Sequence, residues 1–218
     1  TLLHDALPIL QEIEEAFDTY TTLSLTEEEQ KHYGFLALVW PLVKKASVDI
    51  EQAMVRLQKQ YQPQFLDIAL TQAQLMSDLR YQILEIVNRT LVLELNVARL
   101  RKQLNGETAQ DRFQSFVQLL TKPEFSLPIL QEYSVMARQV VIRIKQWLNF
   151  HTEWLTQLCQ DWPVILENFA VGQAPGTLVE ASRAGDKHCD ARAVLILKFE
   201  SGLKLVYKPH SLAVDTAF

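Results

Sequence analysis

Only two cysteines, Cys159 and Cys189, occur in the 218 residues. Two thiols cannot make a disulfide framework, and a structural zinc site needs more ligands than they supply. That usage fits a reducing cytoplasm. Long hydrophobic runs are also missing. The richest apolar stretch, Phe35 to Val43, is too short to span a bilayer and is interrupted by Pro41. No basic run is long enough to track a phosphate backbone and the formal net charge is -5, so nucleic acid is not an expected partner. The opening TLLHDALPIL lacks the cationic lead and small-residue cleavage site of a secretory signal.

An initiating Met is absent as well, and Leu3 to Ile9 (LHDALPI) resembles one reading frame of a widely used sequencing adapter. Residues 1–9 are therefore expected to be an adapter-derived scar, to be set aside before fold reasoning. LPILQEIEEAF would equally well open an ordinary amphipathic helix. What the chain does have is a near-average globular composition, 48% apolar and 22% charged residues. A length of 218 residues can hold one large domain or two small ones with a substantial core.

Residues 10–171 read as helical. Leu84, Val87, Leu91, Leu95 and Ala98 form a stripe at three- and four-residue spacing, while Val92, Val97 and Leu100 are apolar on other faces. This helix is expected to be buried on more than one side and to stop at Asn105-Gly106, where glycine accepts the left-handed geometry of a helix end. A further long helix is expected from Ser126, as N-cap, with Pro128 in its first turn. Trp162-Pro163 is expected to break or kink it. His151 and Glu153 lie close together without a third metal ligand nearby, and Trp147, Trp154 and Trp162 read as core or helix-contact residues.

From residue 172 the texture changes. Gly172, Pro175 and Gly176 cluster, and strand-like runs follow near residues 177–182, 193–199 and 203–208. Ser201-Gly202 between the last two is a hairpin signal. Alternation puts Leu203, Leu205 and Tyr207 on one face of the third strand and Lys204, Val206 and Lys208 on the other. The fold class expected is α+β: a helical N-terminal region followed by the opening strands of a kinase-like lobe, in a chain that stops before that lobe is complete. Kinases hold ATP beneath the loop joining their first two strands, and a lysine on the third strand grips the phosphates. Here the loop AGDKHCDAR is not glycine-rich; it offers Asp186, His188, Asp190 and Arg192 instead, with Lys208 at the end of the third strand. Plainer readings stand beside this one. Lys208 can be merely solvated, His188 a surface histidine, Asp186 a turn residue and Cys189 an inert thiol.

The segment GDKHCDARAVLILKFESGLKLVYKPHSLAVD resembles the GD-x-H … G-x-K-(L/I)-V-Y-K-P-R-S-L region of class II lanthipeptide synthetases of the LanM type. Asn88 to Phe116 and Glu132 to Trp147 are similar to the helical part of the same dehydratase domain. The resemblance implies a cytoplasmic, lipid-kinase-like enzyme that uses ATP and Mg2+. It would phosphorylate Ser and Thr of a leader-bearing precursor peptide, then eliminate phosphate to leave dehydroalanine or dehydrobutyrine. Zinc would belong only to a cyclase domain absent from these residues, and a membrane-associated exporter is a candidate partner in the full-length context. Lys208 would match the strand lysine, and Asp186 and His188 the phosphate-side loop. Lys208, Arg192 and Asp186 would contact the nucleotide. Two positions depart from the pattern: His210 stands where Arg is usual, and Ala191 where Gly is common. The side chains expected to orient the hydroxyl and bind magnesium lie downstream, so the fragment itself is expected to be inactive. Readings from other classes are a helical interaction module without catalysis, or another kinase-like phosphotransferase that does not eliminate.

Overall fold

A computed structural model of the chain describes residues 2–20, 26–170, 172, 174–184 and 192–209, the side chains of residues 2–7, 27 and 31 excepted. The architecture is α+β. Helices α1 (Leu2–Tyr20), α2 (Glu27–Tyr33), a 3-10 segment (Gly34–Val39), α3 (Trp40–Tyr61), α4 (Ile68–Leu100), α5 (Ala109–Leu120), α6 (Pro123–Glu132) and α7 (Ser134–Phe169) come first. The strands β1 (Leu178–Ala184), β2 (Val194–Phe199) and β3 (Lys204–Tyr207) follow as one antiparallel sheet in the order β1-β2-β3. Among the described residues, no helix is long and apolar enough to cross a membrane.

The chain forms two compact units, residues 1–46 with 78–144 and residues 47–77 with 145–218. In the first, the apolar run beginning at Phe35 becomes a fully buried 3-10 segment. Phe35 meets the rings of Phe113 and Phe116 edge-on, at 5.4 and 6.2 Å between centroids. Gly34 permits this approach, since a Cβ there would lie 2.8 Å from Val117 Cγ2. The Arg80 guanidinium pairs with Glu29 at 3.1 Å and lies over the rings of Tyr33 and Trp40. The backbone of α1 is helical through residues 2–9, and its buried anchors Ile13, Ala16 and Phe17 come later. Deleting residues 1–9 is accordingly expected to shift unfolding by no more than about 0.5 kcal/mol. Thermal melts of the two chains check this, and a loss of several kcal/mol would show the segment to be packed.

Several helix boundaries differ from the sequence expectation. On α4, Val87, Leu91 and Ala98 are buried as the stripe requires, but Val92 and Leu100 are exposed, so burial is confined to one side over that stretch. The helix ends at Leu100, before Asn105-Gly106. Lys102 takes the left-handed conformation (φ 56°), and the amides of Gln103 and Lys102 donate to the carbonyls of Ala98 and Arg99. That is a Schellman closure with lysine where glycine is usual. Ser126 is no N-cap. It is buried inside α6, its hydroxyl donating to the Leu120 carbonyl at 2.5 Å, and Pro123 opens that helix instead. The long helix starts at Ser134, after a non-helical Tyr133 (φ -96°, ψ 51°) whose hydroxyl donates to Glu94 at 2.6 Å. That hydrogen bond and burial push the Tyr133 phenol up to about 12. Nor does Trp162-Pro163 end α7, which continues to Phe169. Proline removes one helical donor, while the Trp162 ring is held 4.3 Å from Phe65 and 5.4 Å from Phe199.

In the second unit the sheet lies with one face against α7. Leu195, Leu197 and Phe199 of β2 are buried there, and Tyr207 of β3 faces Phe150 at 6.3 Å. The turn between α3 and α4 contributes Phe65, fully buried, whose carbonyl accepts from the Leu178 amide at 2.9 Å. Gln74 of α4 donates to the Val179 carbonyl. The β2–β3 hairpin closes at Ser201-Gly202 as its sequence suggests, with Gly202 at φ 87°.

Candidate functional site

Strand pairing decides which side chains share a face. Opposed residues in an antiparallel pair point the same way. Arg183, Leu195 and Tyr207 therefore form one row toward α7, and Ala181, Leu197 and Leu205 another. The opposite face carries Glu180, Lys198 and Lys204 in one row and Ser182, Ile196 and Val206 in the next. Ala184 pairs with Val194 in a third row, and Lys208 lies one residue beyond Tyr207, alongside it. Val206 is 61% exposed and Lys208 is exposed. Val194, Ile196 and Val206 thus form an apolar strip on the side away from α7, and Lys208 directly follows the end of β3.

This register has a consequence for the loop. β1 ends and β2 begins at the Ala184–Val194 pair, so Lys208 stands at the same end of the sheet as the two strand ends that the loop connects. Lys198 and Lys204 occupy the hairpin end, about 13 Å away at strand spacing. Lys208 also borders a cavity of about 280 Å3 at the β3 edge, lined on the helix side by Gln157, Leu158, Asp161 and Ile165.

Arg192 is placed differently. Its guanidinium meets the Glu153 carboxylate of α7 at 2.8 Å, with the side chains 38% and 33% exposed, so it is directed to the helix. An ion pair this open contributes at most about 1 kcal/mol; its effect is to hold the entry of β2 against α7. The Tyr207 phenol is raised by burial and by Glu153, and Arg192 partly offsets this. Asp186, His188, Cys189, Asp190, Ala191 and His210 lie outside the described residues.

His151 is buried (3% exposed) between the rings of Trp147 and Trp154. Its Nδ1 accepts from Trp154 Nε1 at 2.8 Å, which puts the proton of the neutral ring on Nε2. Burial, aided by the Arg183 charge, holds its pKa down at about 3. Cys159 is likewise buried and raised by burial to about 11, an unreactive thiol at neutral pH. Among the described residues, no group of three His, Cys, Asp or Glu side chains is arranged to hold a metal. The sequence reading passed over Glu153 as a partner for Arg192. The pair is 39 residues apart, and no local spacing signals it.

No curated protein matches this chain. Residues 133–218, which contain α7 and all three strands, match the model of a family described as "Domain of unknown function (DUF4135)".

Proposed function

We propose that this chain is part of a LanM-type lanthipeptide dehydratase, which phosphorylates Ser and Thr of a precursor peptide with ATP and then eliminates the phosphate. The observation that carries the proposal is the register. It brings the end of β3, which Lys208 directly follows, level with the strand ends of the β1–β2 connection, and the outer face there carries Val194, Ile196 and Val206. A flat apolar strip with a lysine just past the strand end suits a nucleotide, whose base needs burial and whose phosphates need charge. The family match over residues 133–218 supports the same assignment.

In this scheme Lys208 neutralises phosphate charge as it develops in transfer, and again on the leaving phosphate. Asp186 and His188 belong to the β1–β2 connection by sequence and are proposed to act on the phosphate side. Magnesium would supply further charge neutralisation on the phosphates when bound; among the described residues no group of three His, Cys, Asp or Glu side chains is arranged to hold it. Arg192, paired with Glu153, is proposed to brace the connection where it enters β2, which is a narrower role than nucleotide contact.

The resemblance puts the hydroxyl-orienting and magnesium-binding side chains downstream. The 218-residue chain incubated with ATP, magnesium and the cognate precursor is therefore expected to give no modified peptide. A longer LanM-type enzyme reconstructed around this chain is expected to give peptides lighter by one water per modified residue. Mass spectrometry reads both. Dehydration by the 218-residue chain alone would move the site, and phosphorylation without elimination by the longer protein would make it a different phosphotransferase.

A further inference from the structure

A second cavity in the second unit is separate from the sheet's open face. It is a groove of about 660 Å3 between α3 and α7, within the size range of small-ligand sites. Beside it, α3 buries Ile50, Met54 and Leu57, and α7 buries Trp154, Leu155 and Leu158. The groove itself is walled by amides and hydroxyls: Gln52 from α3, and Asn149, Thr152, Thr156, Gln157 and Gln160 from α7. On α7, Asn149, Thr152, Thr156 and Gln160 recur every three or four residues and form one polar stripe along the helix, with Gln157 beside it. Its floor includes Ala53, whose small side chain leaves the depth.

We propose that this groove docks an extended, uncharged, hydroxyl- and amide-rich segment of a peptide; in the peptide-modifying reading above, on which this rests, that segment belongs to the substrate. Length and charge both point to it. From Asn149 to Gln160 the α7 stripe runs about 16 Å, which matches about five residues of extended chain. Side-chain amides donate and accept alike, as does a peptide backbone with its alternating N–H and C=O groups. Thr156 donates to the Thr152 carbonyl and Gln160 to the Tyr61 hydroxyl, so those two are oriented by the fold. The exposed amides of Gln52, Asn149 and Gln157 line the rest. The charged side chains of the lining are of both signs, Arg56 with Asp49 and Glu153, and Glu153 is already paired with Arg192. No strong field of one sign is left to select a charged ligand.

The test is a titration of the 15N-labelled chain with a short synthetic peptide of serine, threonine and glycine, followed through side-chain amide signals. Those of Gln52, Asn149 and Gln157 should shift saturably. The double variant Gln52→Leu/Gln157→Leu should weaken binding about 10-fold; both positions are exposed, and the backbone spectrum reports whether the fold is kept. Unchanged affinity in the double variant overturns the proposal. So do shifts confined to the open face of the sheet, or tighter binding of an oligoglutamate or oligolysine probe. Lys208→Met separates the two readings. If it abolishes modification while the groove variants bind normally, only the groove proposal falls. If the groove binds as expected but ATP drives no chemistry, only the dehydratase reading falls.

Discussion

Lys208→Met in the longer protein is expected to slow dehydration by about 10²–10³-fold while leaving the fold intact. The side chain is exposed at the end of β3, and the face that packs on α7 is supplied by Leu205 and Tyr207 instead. Methionine keeps the length and the apolar stem and removes only the ammonium, so stability should change by less than about 0.5 kcal/mol. Single-turnover mass spectrometry gives the rate, and circular dichroism confirms the fold. Phosphopeptide must be followed separately, because its accumulation would assign the lysine to elimination more than to transfer. A folded variant with wild-type rates for both steps would remove Lys208 from the site and, with it, the kinase-like reading of the sheet.

Acid is expected to destabilise the chain through His151. Its folded pKa is about 3 and its unfolded value about 6.5. Between those values the unfolded chain binds a proton that the folded chain refuses. The stability contributed by the neutral ring is therefore whole above about pH 6.5 and is lost progressively as the pH falls toward 3. From about pH 7.5 to about pH 5 the loss is on the order of 2 kcal/mol, from the linkage of one such group. The physical cause is burial first, with the Arg183 charge adding to it, while the Trp154 indole holds Nδ1 as an acceptor. Urea melts across this range measure the slope. His151→Gln keeps an acceptor for Trp154 and cannot titrate, so it should flatten the slope whatever it does to stability at neutral pH. An unchanged slope in that variant would place the acid sensitivity elsewhere.

Much of the sheet was legible locally. Val194 to Phe199 and Lys204 to Tyr207 are flanked by a Ser-Gly turn, and a period of two fixes which side chains share a face once the turn fixes the register. The outward placement of Lys204 and Val206 follows from those two facts alone. Helix content was equally legible, from apolar spacing. Helix ends were less so. Glycine at 106 suggested a stop, but the chain takes the left-handed turn at Lys102, and Pro123, not Ser126, opens the helix that precedes α7. A cap residue signals that a helix can end, and the packing of the neighbouring segments selects where it does.

The sequence by itself determined an α+β chain, an antiparallel meander with Lys208 just past its third strand, and a cysteine usage that excludes a disulfide framework. These are properties of neighbours in the chain, where dihedral preference and side-chain alternation act over a few residues. Only the tertiary structure decided that Arg192 turns to Glu153. It alone set Phe65 against Trp162 and Phe199, buried His151 as a neutral ring, and lined a groove with the polar faces of α3 and α7. Each of those depends on which distant surface a face meets, and on the water that meeting excludes; composition and period are silent on both.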